Sequence, residues 1–135
     1  MSAEDTVRRY IDAVWNQGEP QALIELTTPD FAYRLGGLPP LDRSAMAEFI
    51  RATRVAFPDW RVNIDDVVAD GNRVAVRWSG VVTHGGPFHR IPPSGRRIVV
   101  TGINIYAVEA GRVKAEWEET DGLGILRQLG VLPPA

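Results

Sequence analysis

The chain contains no cysteine among its 135 residues, and it contains only two histidines. Without cysteine it cannot form disulfides, thiolate-bound metal sites or a cysteine nucleophile. The histidines do not occur at the spacing of a zinc site or of a facial triad for iron. Glycine-rich phosphate-binding motifs are missing as well. We therefore expect neither a metal nor a cofactor.

An excess of positive charge is also missing, since the formal net charge is -2. Such a chain lacks the broad positive field that attracts a nucleic acid backbone, and we expect no nucleic acid partner. No apolar run approaches the roughly 20 residues of a membrane-spanning helix. Charged residues such as Glu4, Asp5 and Arg8 interrupt the segment where a signal peptide would be apolar. These patterns predict a cytoplasmic protein that has no membrane partner.

The composition is that of an ordinary globular protein, with 44% hydrophobic and 24% charged residues. The length matches the commonest size of one domain. No internal repeat and no linker interrupts the sequence. We expect residues 1–135 to form a single domain.

Three helical patterns occupy the first part of the chain. The first is predicted over residues 2–16, with Ser2 as the N-cap and Asp5 as its capping-box partner, and its apolar residues recur three and four positions apart. The second begins at Pro20, which suits a first helical turn. The third runs from about residue 42 or 44 to residue 57, and a short strand over residues 31–35 precedes it.

Beyond Trp60 the pattern changes to strands and turns. Strands are predicted over residues 61–69, 73–84, 97–108 and 112–121, with a long irregular loop at 85–96 and one or two helical turns near the C-terminus. Helices followed by an antiparallel meander predict an α+β fold, in which three N-terminal helices pack on a curved antiparallel sheet. A sheet of this kind encloses a pocket.

Five short motifs follow one another between residues 57 and 130. They are Phe57-Pro58-Asp59-Trp60, Thr83-His84-Gly85-Gly86, Ile91-Pro92-Pro93-Ser94-Gly95, the segment from Trp117 to Asp121, and Gln128-Leu129-Gly130. In this order the motifs resemble those of the SnoaL-like polyketide (ester) cyclase family, within the NTF2-like superfamily. The resemblance implies an NTF2-like or cystatin-like cone, and a homodimer joined through the outer face of the sheet. It also implies a cofactor-independent enzyme for a small hydrophobic or aromatic substrate.

The resemblance further implies that Asp121 is the general acid/base of an intramolecular aldol closure. Trp117, Glu119 and Asp121 alternate along the last strand, so we expect all three on the face that borders the pocket. An apolar pocket raises the pKa of a carboxylate, which suits the abstraction of a proton next to a carbonyl. The alternative is that Asp121 only caps the turn that follows it.

The neighbouring acidic residues Glu116 and Glu118 have the opposite parity, and we expect them on an exposed outer face or in a dimer contact. Asn104 and Tyr106 alternate on the adjacent strand and are expected to face the pocket. The resemblance implies Gln and His at these positions in the antibiotic cyclases, and the Asn and Tyr found here keep the capacity to hydrogen-bond a substrate. Tyr106 would stabilise an enolate oxygen, or would simply fill space with its hydroxyl solvated.

His84 ends a predicted strand and is a candidate for proton transfer, although a hydrogen bond that orders the following loop explains it equally well. Aromatic side chains are expected to line the pocket or to fill the core beside it. The residues assigned to substrate binding are Trp15, Tyr33, Phe49, Phe57, Trp78, Trp117 and Glu119.

Three functions fit these patterns. The first is a cyclase or isomerase that moves protons on a polyketide-like or other apolar carbonyl compound. The second is water addition by an Asp-Arg-Asp relay, as in epoxide hydrolases of the same fold, for which Arg77 is the strand arginine nearest the centre. The third is a small-molecule-binding domain without catalysis.

Overall fold

The first helix shows both the predicted start and an unpredicted change of pitch. The computed structural model describes residues 1–134, and α1 spans Ala3–Tyr10. Ser2 caps α1, because its hydroxyl accepts from Asp5 N at 3.1 Å while the Asp5 carboxylate accepts from Ser2 N at 3.2 Å. The chain then continues as a π-helical segment over Ile11–Asn16, in which Gln17 N donates to Asp12 O at 2.9 Å. The prediction of one regular helix over residues 2–16 is therefore wrong in its second half.

Two further helices complete the N-terminal layer. Helix α2 spans Pro20–Leu26, and α3 spans Arg43–Ala56. Asp42 begins α3 by accepting from Ala45 N at 2.9 Å, which satisfies one of the free N–H groups of the first turn. A fourth helix, α4, spans Gly122–Gln128 at the other end of the chain. No helix within residues 1–134 has the length and apolar character needed to cross a membrane.

The five strands form one sheet in the order β1-β5-β4-β3-β2. Their bounds are Thr27–Leu35 for β1, Asn63–Asp70 for β2, Arg73–Thr83 for β3, Arg97–Glu109 for β4 and Arg112–Thr120 for β5. The meander from β2 to β5 is antiparallel, as predicted. Strand β1, however, pairs with β5 in parallel, so the sheet is mixed and the prediction of a wholly antiparallel sheet is wrong.

Strand β1 begins at Thr27, earlier than the start predicted at residue 31, and it includes Pro29. The strand lies at the edge of the sheet, where a proline need not donate to a neighbour. Its register with β5 shifts between Thr27 and Ala32, next to the proline. Residues 27–30, which precede the strand predicted over residues 31–35, are thus an irregular part of β1.

The α+β architecture is confirmed, with the core between the helices and one face of the sheet. Alternate residues of β3, such as Val74 and Val76, are buried there. Gly102 in β4 lies directly opposite Trp78 of β3, and a Cβ atom at this position would overlap the indole. The glycine therefore allows Trp78 to lie flat over the inner face of the sheet.

Candidate functional site

Two glutamates and two polar side chains of adjacent strands meet on the inner face of the sheet. Asn104 and Tyr106 of β4 lie directly opposite Glu118 and Glu116 of β5, respectively. All four are buried, and Glu116 has no exposed surface. The prediction that Asn104 and Tyr106 point inward on one face is confirmed, whereas the outward assignment of the two glutamates is wrong.

A β-bulge explains the inverted faces of β5. Ala107 pairs with Ala115 but Val108 pairs with Val113, so β5 holds one extra residue at Lys114. An extra residue shifts the alternation of every position beyond it to the opposite face. The residues of β5 that face inward therefore have odd numbers before the bulge and even numbers after it.

The same inversion moves two predicted binding residues to the outer face. Trp117 lies there beneath the guanidinium groups of Arg34 and Arg73, at 5.8 and 5.1 Å from the ring centre. Glu119 is exposed. The predictions that Trp117 and Glu119 border the inner pocket are wrong for this reason.

Glu116 is held by three neutral donors. Tyr10 Oη donates to Glu116 Oε1 at 2.6 Å, and Trp15 Nε1 donates to Oε2 at 3.1 Å. Asn104 Nδ2 donates to the same Oε2 at 2.8 Å. The π-helical segment makes the first two bonds possible, because residues five apart in an α-helix point about 140° away from each other. The wider i→i+5 turn brings Tyr10 and Trp15 to the same side.

Glu118 shares the amide of Asn104 with Glu116. Asn104 Nδ2 donates to Glu118 Oε1 at 3.2 Å, and the hydroxyl of Thr120 donates to Glu118 Oε2. Asn104 is itself oriented by Trp78, whose Nε1 donates to Asn104 Oδ1 at 2.8 Å. One side-chain amide therefore links the two carboxylates to the wall of the cavity.

No cationic side chain balances the two glutamates. None of the ion pairs among residues 1–134 includes Glu116 or Glu118. The pKa of Glu116 is raised to about 7, first by burial and then by the charge of Glu118, although its hydrogen bonds oppose the rise. Burial also raises the pKa of Glu118. Two close carboxyls of this kind titrate as a pair, and one proton shared between them limits the buried charge near neutral pH.

The tyrosines around the pair remain proton donors. Burial is the main cause that raises the pKa of Tyr10 and Tyr106, and the charge of Glu116 raises both further. The pKa of Tyr33 is raised by burial and then by Glu118, which lies nearby. Each phenol is therefore neutral near pH 7.

We expect the stability of the protein to respond to the titration of Glu116. The folded-state pKa lies above the ordinary value of 4.5, so the contribution of Glu116 is fully present below about pH 4.5 and is lost as the pH rises through about 7. This shift corresponds to about 3 kcal/mol of unfolding free energy. Denaturant unfolding of the wild type and of Glu116→Gln between pH 4.5 and 8 measures it. The wild type should lose stability relative to the variant as the pH rises, and parallel curves would contradict the assignment.

A small cavity adjoins the pair. Its walls are Ile11, Trp15, Trp60, Val62, Trp78, Asn104, Tyr106 and Glu118. The space open to the centre of a water molecule is about 20 Å³, which is room for about one water. A larger ligand can enter only if wall side chains move. Trp60, one of these wall residues, is partly exposed.

The predicted aromatic lining is only partly present. Trp15 and Trp78 border the cavity. Tyr33 and Phe49 pack behind Trp15, with ring centres 6.2 and 6.1 Å from its indole. Phe57 is buried beside Trp60 at 6.0 Å. The rings of Tyr33, Phe49 and Phe57 therefore belong to the core around the cavity in this conformation. Trp60, the last residue of the Phe57–Trp60 motif, is a wall residue that the sequence did not predict.

Asp121 lies outside this site. It is exposed, and its Oδ1 accepts from Gly124 N at 2.9 Å, so it caps α4. Asp121 instead borders an open depression on the outer face together with Arg77 and Glu119. The prediction that its carboxylate faces the inner pocket is wrong, and the alternative interpretation as a helix cap describes its contacts.

Arg77 also lies on the outer face. Its side chain is 57% exposed, and Nη1 is 3.9 Å from Asp65 Oδ2. No arginine borders the inner cavity within the described part of the chain. An Asp-Arg-Asp relay is therefore not formed there.

His84 is fully buried but serves the loop after β3. Its Nδ1 accepts from Ser94 N at 3.2 Å and lies 2.9 Å from Ser94 Oγ. These bonds tie the start of the irregular 85–96 segment to its end. His84 does not border the cavity, and its ring packs 5.9 Å from Phe57. The contacts match the structural alternative for this histidine.

Residues 5–129 match the family model of the SnoaL-like polyketide cyclases. The chain belongs to this family. Among curated proteins none matches the sequence. Among solved structures, the chain is similar to IdmH of Streptomyces antibioticus, named as a candidate polyketide cyclase. The identity is 30%, the alignment covers 96% of this chain and 99% of IdmH, and the TM-score is 0.84.

Two further structures support the fold. A candidate polyketide cyclase of Acidithiobacillus ferrooxidans is 28% identical over 96% of this chain and 94% of its own, with a TM-score of 0.85. A candidate SnoaL-like polyketide cyclase of Jannaschia is 24% identical over 97% and 93%, with a TM-score of 0.89. The NTF2-like fold of this SnoaL-like chain is thereby confirmed, together with the family that the motifs indicated.

The sequence holds only a partial signal for the glutamate pair. After the tight turn, the apolar residues Val113 and Ala115 occupy alternate positions of β5 and indicate odd-numbered inward positions. The polar side chains of Asn104 and Tyr106 on β4 need polar partners on the inner face of β5. Glu116 and Glu118 become those partners only if an extra residue is inserted. Strand β5 contains neither glycine nor proline, so nothing in its sequence marks that bulge.

Proposed function

We propose that this SnoaL-like protein is a cofactor-independent cyclase or isomerase that moves protons on an apolar carbonyl substrate, with Glu118 as the acid/base. The observation that supports the proposal is a buried carboxylate with a raised pKa in the wall of an apolar cavity. A base whose pKa approaches the working pH is effective at proton abstraction and at the return of the proton.

The proposed reaction begins when ionised Glu118 removes a proton from the carbon next to a carbonyl. The C–H electron pair forms an enolate, and its carbon attacks a second carbonyl of the same molecule. A carbon–carbon bond forms, and the resulting alkoxide takes the proton back from Glu118. Atoms and charges balance without an oxidant or a cofactor. In an isomerisation the proton simply returns to another carbon.

The neighbours of Glu118 have separate roles in this proposal. Asn104 orients the carboxylate through its amide. Glu116 sits behind Asn104, and the charge of Glu118 raises the pKa of Glu116, so Glu116 can hold the shared proton while Glu118 is ionised. Tyr106 also borders the cavity and offers a neutral hydroxyl to the substrate.

The proposal agrees with the names of similar proteins. IdmH, at 30% identity, is named as a candidate polyketide cyclase. AclR of Streptomyces galilaeus, named as a candidate hydroxylase, shares the fold at 23% identity and carries no argument about the reaction. The family therefore favours ring closure.

A direct test is isotope exchange in deuterated water. Aromatic 1,3- and 1,5-diketones would be incubated with the wild-type protein, and loss of the α-proton signal would be followed by NMR. We expect exchange faster than in buffer alone, with cyclised product from those diketones that can close a ring. Exchange at the buffer rate with every ketone that binds would contradict the proposal.

A non-catalytic binding domain is the second candidate. The observation that favours it is the size of the cavity, which has room for about one water in this conformation. Asp121 is also bonded to a backbone amide rather than directed at a substrate. Ligand binding without any α-proton exchange would support this candidate over the enzyme.

We propose further that the protein is a homodimer joined through the outer face of the sheet. Val81, Val99, Ile103 and Ile105 lie on that face and are each about half exposed. We expect Ile103→Lys to shift the protein from dimer to monomer in size-exclusion chromatography with light scattering. Ile24→Lys, at an equally exposed position of α2, is the control and should leave the mass unchanged. A monomeric wild type would refute the dimer.

A further inference from the structure

The indole N–H of Trp60 differs from those of the other tryptophans around the cavity. Trp15 Nε1 donates to Glu116, and Trp78 Nε1 donates to Asn104. Trp60 Nε1 is buried, and no acceptor among residues 1–134 is within hydrogen-bonding reach. Buried donors are nearly always paired in native proteins, so an unpaired donor in the wall of a cavity calls for an explanation.

The position of Trp60 is fixed by its surroundings. Its backbone N–H donates to Phe57 O at 2.9 Å. The carboxylate of the preceding Asp59 accepts from Thr83 N at 2.7 Å and so anchors the turn to β3. The indole packs against Trp15 and Trp78, with ring centres 6.2 and 6.3 Å away. The ring is thus held in the cavity wall by packing on both sides.

We propose that Trp60 Nε1 donates a hydrogen bond to the carbonyl oxygen of the substrate. This inference rests on the proposed function, since it places a donor at the oxygen while Glu118 acts at the adjacent carbon. Both residues border the same cavity. Removal of the α-proton moves negative charge onto the oxygen, and a fixed donor there stabilises the enolate more than the ketone.

The buried hydroxyl of Tyr33 likewise has no hydrogen-bond partner among residues 1–134. Its phenol lies near Glu118 but does not border the cavity. Trp60 combines an unpaired donor with a place in the cavity wall, and it is the only tryptophan of the described chain that does. The donor is therefore assigned to Trp60.

The test uses the indole signals of the intact protein. The chain has four tryptophans, so a proton–nitrogen correlation spectrum contains four indole signals, and Trp60→Phe identifies one of them. The probes are 1-indanone and indane, which have the same ring frame with and without a carbonyl. We expect 1-indanone to move the Trp60 signal downfield more than the other three, and indane to leave it near its starting position.

Kinetics provide a second measurement. With a ketone that exchanges its α-proton, Trp60→Phe should lower kcat/KM by about 10²-fold, mainly through kcat, because the bond strengthens as charge develops. Trp117→Phe, on the outer face, is the matched control and should keep the wild-type rate. Should Trp60→Phe fail to fold, the Trp60 signal is assigned in the isotope-labelled wild type by through-bond and through-space correlations, and its titration decides alone.

The outcomes separate this inference from the proposed function. If 1-indanone binds but the Trp60 signal stays still, or if indane moves it equally, the donor role is overturned. A failure of 1-indanone to bind at all overturns it as well. A shifted Trp60 signal without α-proton exchange supports the donor role and refutes the catalytic proposal alone. Exchange of the α-proton with an unmoved Trp60 signal supports the catalytic proposal and refutes the donor role alone.

Discussion

Replacing Glu118 with glutamine should lower the rate of α-proton exchange by about 10²- to 10⁴-fold, the usual contribution of a general base. Glutamine keeps the size of the side chain; its amide oxygen can accept from Asn104 and its amide N–H can donate to the Thr120 hydroxyl, but it cannot take a proton. Glu118 is the carboxylate that borders the cavity, whereas Glu116 lies behind Asn104. The rate should therefore fall without a comparable loss of ligand binding.

Asp121→Asn is the matched control for this experiment. It removes one carboxylate at the position that the sequence favoured, and asparagine caps a helix about as well as aspartate. We expect the variant to keep the wild-type exchange rate, because Asp121 is exposed and bonded to Gly124 N. If Asp121→Asn abolishes exchange while Glu118→Gln does not, the sequence-based assignment is correct and the role of Glu118 is wrong.

The pH dependence of exchange is a further readout of the same comparison. A base with a raised pKa is ionised only above that pKa, so the wild-type rate should rise with pH through a higher midpoint than an exposed carboxylate would show. The two glutamates titrate together, and the midpoint therefore belongs to the pair. Glu116→Gln removes one of the two titrating carboxyls, so the rate should then follow a single ionisation step, that of Glu118.

The largest effect on stability is expected for Asn104→Leu. This change removes the amide that donates to Glu116 and to Glu118, and the carbonyl that accepts from Trp78. Leucine has a similar volume but no polar atom, so two carboxylates and one indole N–H lose a partner inside the protein. The expected loss is about 3–5 kcal/mol of unfolding free energy, because unpaired buried groups cost more than a hydrogen bond contributes.

Denaturant unfolding at pH 7 measures this loss, with Gln21→Leu as the control. Gln21 is exposed on α2, away from the outer face of the sheet, and its replacement should change the stability by no more than about 0.5 kcal/mol. At pH 5 the deficit of Asn104→Leu should shrink, since neutral carboxyls are less costly to bury. A deficit of about 1 kcal/mol at both pH values would mean that Asn104 is an ordinary packing residue.

These expectations give Asn104 and Glu118 different signatures. Glu118→Gln should lower the exchange rate and leave the protein folded. Asn104→Leu should lower the stability first, and its effect on the rate should follow from the freed carboxylates. A protein that tolerates both changes would have a buried polar cluster without either role, and the binding-domain candidate would then be favoured.

Much of the architecture was determined by the sequence alone, because local rules decide it. Ser2 and Asp5 begin α1 through contacts three residues apart, and Asp42 begins α3 in the same way. The turns around Gly71 and Gly111, where the backbone has positive φ, close hairpins that a local pattern can show. The motifs around Trp60, His84 and Trp117 were sufficient to indicate the family.

The faces of the last strand and the identity of the site were decided only by the tertiary structure. Alternation shows which residues share a face but not which face is inside, and the bulge at Lys114 reverses that choice for every residue beyond it. The parallel pairing of β1 with β5 joins segments about 80 residues apart, beyond the reach of any local pattern. The π-helical turn that directs Tyr10 and Trp15 at Glu116 is likewise decided by packing. A sequence with no cysteine and few histidines thus pointed to carboxylate chemistry, and the fold decided that the buried carboxylates are Glu116 and Glu118 rather than Asp121.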